Sequence, residues 1–316
     1  MKSVNTGNDH QPSTMLVEGY RRRSLLGEVL QWVVGRKLKS FLGFVQASVD
    51  PRCRVPPGFA YDPNDHIGSK MLALGSYEAE EIQAISWLLR KLDVSDACMV
   101  DAGAHMGIYT VLLGGHFASV IAFEPNPKTY LLLRHNTMSD PAVQCRRVGL
   151  SDGTGIATIE VEAGNTGHSV VKPVTGEKAG LVTVAVDTLD SQLAKVDPGI
   201  MVKFLKMDVE GLELRVLGGA EGMINRCRPT VAFEYIPDFG SDGGSGAFAW
   251  LKGRGYRIFC LRFEAPHGRR FAYLLKRMFS SSVLSLEEIL KPPNEKHSQL
   301  LAIPAEVVPE LLLAAS

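Results

Sequence analysis

The sequence predicts an α/β protein built on a mostly parallel sheet with helices on both faces. Three observations predict it. Short apolar runs of strand length alternate with stretches at helical spacing from about residue 75 to residue 303. The segment Met99–Pro125 reads as one βαβ unit: a strand ending Val100-Asp101-Ala102, a glycine turn Gly103 to Gly107, an apolar helix from Ile108, and a second strand ending Phe123-Glu124-Pro125. Farther on, Met201–Val209 and Pro229–Tyr235 are two more apolar strands with carboxylates at their carboxyl ends.

Taken in order, residues 1–14 are polar and aperiodic and are expected to be disordered. From Tyr20 to Ser48, Leu26, Leu30, Val33, Leu38, Phe41, Leu42 and Val45 recur at helical spacing, while Arg21, Arg22, Arg23, Arg36, Lys37 and Lys39 oppose only Glu28. This N-terminal extension reads as a basic amphipathic helix, either packed across the main domain with its basic face in water or touching an anionic membrane surface. Four prolines between Pro51 and Pro63 mark a linker. The expected domains are therefore 1–60, an α/β domain over 61–305, and a tail over 306–316.

Within the domain, Ser76 is the expected N-cap of a helix carrying Ile82, Ile85, Leu88, Leu89 and Leu92, with Glu78, Glu80 and Glu81 at its positive end. After the βαβ unit come a helix over 128–138, a strand over 143–148 and a turn over 149–153. Alternation at 157–161 and 182–186 predicts a hairpin around a glycine-rich loop, 163–180. A helix over 212–225, the end of another at 250–253, and strands at 256–263 and 299–303 complete the set. The last two form a hairpin that sets one antiparallel strand into the sheet.

Composition narrows the function. The 34 basic and 34 acidic residues cancel, which gives no support for nucleic acid as a partner. The five cysteines are scattered singly, with no metal-ligand spacing, so no metal is expected. No stretch of about 18 apolar residues and no cleavable leader pattern is present. The expectation is a cytoplasmic protein, with peripheral membrane contact through the basic helix as the variant.

Asp101-x-Gly103-x-x-x-Gly107 departs from the dinucleotide pattern, because an aspartate replaces the first glycine and the last spacing is longer by one. A dinucleotide brings a pyrophosphate that needs bare backbone N–H groups, whereas S-adenosylmethionine brings an ammonium that a carboxylate can hold. Asp101 suits the latter, directly or through a water. Gly103 and Gly107 let the backbone pass close to the cofactor, and Glu124, 21 residues beyond Gly103 at a strand end, can accept both ribose hydroxyls. A lone D-x-G is otherwise only a strand-end turn.

In Lys203–Gly211, period-two spacing puts Lys206 and Asp208 on one face of a strand, with Asp208 at the ligand-binding carboxyl end. A strand-buried ammonium needs a partner, so Lys206 is expected on Asp208 or Glu234. Glu210 follows as a rim carboxylate; its purely structural role would be at the start of the next helix.

Val100–Thr110, Phe123–Pro127, Gly149–Asp152, Asp187–Asp190, Lys206–Glu213 and Arg228–Glu234 together resemble the FkbM family of S-adenosylmethionine-dependent methyltransferases. The resemblance runs from about Gly75 to Ile303. It implies a seven-stranded, Rossmann-like class I methyltransferase fold acting on a hydroxyl of a sugar, a glycan or glycolipid, or another natural product. His105 stands where the family commonly has asparagine and Gly149 where it has alanine. His105 is a candidate for the carboxyl end of the cofactor, and Leu150 for an adenine contact.

A hydroxyl is a poor nucleophile, so a base must take its proton as the new bond forms. Asp208 or Glu210 is the candidate, with Lys206 orienting the carboxylate and His168 in the 163–180 loop as the rival. The basic and aromatic segment 265–291, with Arg269 and Arg270, is the candidate for acceptor choice, either as an anion-binding surface or as a solvated helix face. Two other functions fit less of the pattern: a nicotinamide-dependent oxidoreductase, which Asp101 in the glycine turn argues against, and a non-catalytic S-adenosylmethionine-binding protein.

Overall fold

The structure is a computed structural model that describes residues 14–17, 51–161, 169–172, 181–237, 243–264, 283–309 and 311. The basic helix expected over 20–48, His168, and Arg269 and Arg270 lie outside the described residues.

The chain enters with a short strand, β1 (Thr14–Val17), then a 3-10 turn at Pro51–Cys53 and two helices, α1 (His66–Leu74) and α2 (Ala79–Leu92). The stretch expected as a linker packs on the domain: Cys53 and Phe59 are buried in the same core cluster as Ile82, Ile85, Leu88 and Leu89 of α2. Asn136 clamps it, accepting from the Ala60 N–H at 2.6 Å and donating to the carbonyls of Ala60 and Met106 at 2.9 and 2.8 Å. Ser76 does not cap α2. Its hydroxyl donates to the Cys53 carbonyl, and Glu78 takes the N-cap position in a left-handed conformation.

The βαβαβ run is β2 (Cys98–Ala102), α3 (Ile108–Leu113), β3 (Ser119–Phe123), α4 (Pro127–Thr137) and β4 (Val143–Arg146). Asn126 accepts from the Lys128 N–H at 3.0 Å, and Pro127 stands at the first turn, where its missing N–H costs nothing. A second sheet follows from β5 (Gly149–Leu150), β6 (Gly155–Val161), β7 (Ser169–Lys172) and β8 (Leu181–Asp187), in the order β5-β8-β6-β7. The expected 157–161/182–186 pairing is present as antiparallel β6–β8, with β7 added from within the stretch expected to be a loop.

The remainder is α5 (Leu189–Ala194), β9 (Val202–Met207), α6 (Glu213–Gly218), α7 (Glu221–Cys227), β10 (Thr230–Tyr235), α8 (Gly244–Gly253), β11 (Tyr256–Glu264), β12 (Val283–Glu288) and β13 (His297–Pro304). The single helix expected over 212–225 is broken into α6 and α7. At the break a Cβ on Gly219 would stand 2.0 Å from the Ser151 carbonyl oxygen, so the chain bends where that turn comes against it.

The main sheet has the order β1-β12-β11-β13-β10-β9-β2-β3-β4. Seven of these strands, from β11 to β4, are the expected set, with β13 antiparallel between β10 and β11. Beyond them β12 and then β1 extend the edge by antiparallel pairing, so the described sheet has nine strands rather than seven. Alternation along each strand feeds both faces. Met99, Val120, Phe204 and Ala232 face α2 and α3, whereas Val100, Ile121, Leu205, Val231 and Phe233 face α5–α8. Each large apolar side chain so buried contributes about 1.5–3 kcal/mol. The strand order reverses between β2 and β9, which makes a crevice at their carboxyl ends, where open α/β sheets take ligands. No helix among the described residues is long and apolar enough to cross a membrane.

Candidate active site

A cavity of about 390 Å³ opens at that crevice, within the usual size range for a small-molecule site. Gly103, which leaves β2, and Asp208, which leaves β9, line it together. The Asp208 N–H donates to the Ala102 carbonyl at 3.0 Å, and a Cβ on Gly103 (φ 76°) would stand 1.9 Å from the Asp208 carbonyl oxygen. Glycine is therefore required there, both for the dihedral and for the close approach.

One side of the cavity is organised by Glu124 at the end of β3. Its two oxygens accept from the backbone N–H groups of His105 at 2.9 Å and Asn126 at 2.8 Å, which fixes the carboxylate while leaving lone pairs toward the cavity. Burial pushes its pKa up to about 7 against the lowering effect of these bonds. Phe123, Pro125, Val148, Gly149 and Leu150 supply an apolar wall beside it. His105 also lines the cavity, with its pKa lowered by burial.

The opposite side is acidic. Asp208, Glu210 and Glu234 each place a carboxylate oxygen within 4.8 Å of the others. Burial, then the Glu234 and Asp208 charges, raise Glu210 to about 8. Burial and Asp208 raise Glu234 as well, although Lys296 pairs with its Oε1 at 2.7 Å. The next acid along, Glu213, is buried at the start of α6 and accepts from the Gly211 N–H, so it belongs to the turn. Three of the five described non-glycine residues with positive φ line this cavity: Glu78 at 50°, His105 at 52° and Glu210 at 53°. Such strain gathers where the surrounding fold over-determines a binding site.

Beneath the floor lies a buried charge network. Asp101 is 0 % exposed; its Oδ2 accepts from the Thr110 hydroxyl at 2.6 Å, and its Oδ1 is 3.8 Å from the Lys206 ammonium. Lys206 donates to Asp208 Oδ2 at 3.2 Å and to the Gly103 carbonyl at 3.4 Å, and lies 4.8 Å over the Tyr109 ring. Burial lowers its pKa, but the Asp208, Asp101 and Glu78 carboxylates outweigh that and hold it raised. The ammonium is thus permanently charged and bridges the two strand ends.

Of the residues singled out in the sequence, Gly103, His105, Glu124, Leu150, Asp208 and Glu210 converge on the cavity. Asp101 and Lys206 lie behind its wall, and Gly107 ends the glycine turn at φ 90° against Leu133 of α4. His168 lies outside the described residues. A wall formed by His66, Ile67, Tyr77 and Glu78 from α1 and the turn into α2, and the rim pair Lys296 and Ser298 at the start of β13, are not among the site residues that sequence motifs single out. The aromatic and acidic pair Tyr77-Glu78 was the available signal, and it reads equally well as a helix start.

The Methyltransferase FkbM domain matches residues 101–258, half of the chain, including both strand ends of the crevice. Methyltransferase sdnD of Sordaria araneosa is 29% identical over 161 residues, covering 40% of this chain and 61% of that protein. Hexuronic acid methyltransferase AglP of Haloferax volcanii is 32% identical over 142 residues, covering 44% of this chain and 56% of that one. The chain thus spans only about three fifths of the length of these relatives. Among solved structures, methyltransferase FkbM from Methylobacillus flagellatus is similar at 21% identity and a TM-score of 0.39, covering 61% of this chain and 44% of that one. With the family's domain matched across half its length, and with that half supplying Gly103, Glu124, Asp208 and Glu210 to one cavity, the chain belongs to the FkbM methyltransferase family.

Proposed function

We propose that this protein is an S-adenosylmethionine-dependent methyltransferase that methylates a hydroxyl of a sugar, a glycan or another natural product. The observation that carries the reading is a single cavity with Glu124 fixed by two backbone N–H groups on one side and Asp208, Glu210 and Glu234 gathered on the other. A relative named for a hexuronic acid supports a sugar as the acceptor class.

The residues present fit the cofactor. Glu124 offers oxygens to a ribose diol, the apolar wall from Val148 to Leu150 takes a base, and the glycine turn leaves room for the chain between them. No backbone cradle for a pyrophosphate is needed. When bound, the cofactor supplies a methyl carbon made electrophilic by a sulfonium. The protein's part is to hold the acceptor oxygen in line and remove its proton, effects worth about 7–11 kcal/mol at best for alignment and roughly 100- to 10,000-fold for the base.

Glu210 is the base in this reading. Asp208 is tied to Lys206 by a hydrogen bond that orients it, whereas Glu210 has a proton affinity poised near neutrality because it is buried beside two other carboxylates. It takes the hydroxyl proton on Oε as the carbon–oxygen bond forms, which relieves its repulsion with Glu234 and Asp208. The test is Glu210→Gln. The expected result is a fall in kcat of roughly 100- to 10,000-fold, with S-adenosylhomocysteine affinity within about twofold of wild type. A variant keeping kcat within about tenfold would remove Glu210 as the base.

A further inference from the structure

The carboxylate expected to meet the cofactor's ammonium is Asp101, but it is sealed behind the cavity wall with its oxygens turned to Thr110 and Lys206. Another carboxylate stands in the cavity itself. Glu78 occupies the residue before α2 at φ 50°, ψ 42°, a conformation few L residues hold without cause. It does not cap its own helix. Instead its Oε2 accepts from the Tyr109 hydroxyl at 2.7 Å, and Tyr109 is itself buried in α3 beneath the Lys206 ammonium. That bond uses only one of the two carboxylate oxygens, and Glu78 lines the cavity.

Resting on the cofactor reading above, we infer that Glu78 holds the α-ammonium of the cofactor's amino-acid end, with the Tyr109 hydroxyl orienting the carboxylate. The contacts around the cavity support it. Glu124 and Val148–Leu150 line the side read as the nucleoside end, whereas Glu78 is linked through Tyr109 and the Lys206 ammonium to Gly103 and Asp208 at the crevice. A carboxylate that lines a cavity and is held by a fixed donor through one oxygen is placed to offer the other to a ligand cation. Its electrostatics agree: burial, then the Asp208 and Glu81 charges, raise it to about 7 against the lowering effect of the Tyr109 hydrogen bond and the Lys206 charge. Glu78 lies N-terminal to the matched stretch 101–258.

The experiment compares binding of S-adenosylhomocysteine, which keeps the ammonium, with 5′-methylthioadenosine, which lacks the whole amino-acid end, by calorimetry on the full chain. In Glu78→Gln the expected result is about a tenfold to hundredfold weaker Kd for S-adenosylhomocysteine, with the 5′-methylthioadenosine Kd within about twofold of wild type. Tyr109→Phe keeps the charge but frees the carboxylate, and a smaller loss confined to S-adenosylhomocysteine is expected. It carries the test if Glu78→Gln does not fold. Equal losses for both ligands, or no loss for either, would overturn the inference and leave the cofactor reading standing. Failure of wild type to bind either ligand would overturn both.

Discussion

Replacing Lys206 by Met tests the buried network that joins the two strand ends. The Lys206 side chain is 4 % exposed and the Asp101 side chain 0 %, so water cannot compensate a lost charge. At 3.8 Å and an effective dielectric constant of about 20, the pair is worth about 4 kcal/mol. Asp208 is 34 % exposed on its side chain, and its share falls to about 1 kcal/mol or less after screening. Lys206→Met leaves Asp101 as an unpaired buried carboxylate, and a loss of about 3–5 kcal/mol is expected near pH 8. The pH dependence fixes the cause. Burial already raises the Asp101 pKa, and without Lys206 it rises further. An acid whose folded pKa exceeds its unfolded value destabilises the fold increasingly as pH climbs from the unfolded pKa of about 4 toward the folded one. The loss should therefore be smaller at pH 5 than at pH 8. Urea unfolding at pH 5 and pH 8, followed by tryptophan fluorescence, measures both. Adding Asp101→Asn should restore much of the stability, a coupling that a double-mutant cycle reads directly. A loss under 1 kcal/mol at pH 8, a loss independent of pH, or additive single effects would refute the reasoning.

Other perturbations probe the site and its support. Gly103→Ala combines a left-handed residue, roughly 1–2 kcal/mol, with a Cβ driven onto the Asp208 carbonyl, about 1–3 kcal/mol of overpacking; denaturation should show that loss, and S-adenosylhomocysteine binding should be abolished. At saturating cofactor, kcat should climb by about tenfold per unit from about pH 6 toward about pH 8 and then level off, because Glu210, raised to about 8, must lose its proton. A flat profile from pH 6 to 9 would contradict that. Asp187 accepts from Thr154, the Thr188 N–H, Ser191, Gln192 and Lys195, tying the second sheet to α5. Burial works against its charge, but these donors hold its pKa below the carboxylate range, so it stabilises the fold above about pH 4 and loses that contribution as the pH falls further. Asp187→Asn should cost about 1–3 kcal/mol at neutral pH, and its acid unfolding should be shallower than that of wild type.

What the sequence made legible follows the range of each interaction. Strand alternation and the run of apolar residues are local, so the seven-strand core, the antiparallel β13 and the β6–β8 pairing could be read directly. Asp208 as a partner of Lys206 was equally accessible, since two-residue spacing puts both on one face. Asp101 as the second partner was not: it depends on parallel register, Asp101 opposite Lys206, between strands that begin more than a hundred residues apart. The same limit reassigned Glu234, whose ammonium is Lys296 from the start of β13. The N-terminal wall was missed for a different reason. Ser76 and Glu78 satisfy the composition of a helix start, and composition alone cannot separate a capping acid from one that the backbone turns away from its helix. The discriminating quantity is the dihedral of Glu78, and its cause is remote: Tyr109, on α3, takes the carboxylate, while Ser76 is drawn off to Cys53. Glu78→Gly should therefore relax the strained turn yet remove the acid from the cavity, so stability and cofactor binding would move in opposite directions. Thermal unfolding paired with S-adenosylhomocysteine titration separates them, and a joint rise or joint fall would show that the turn exists for the helix and not for the site.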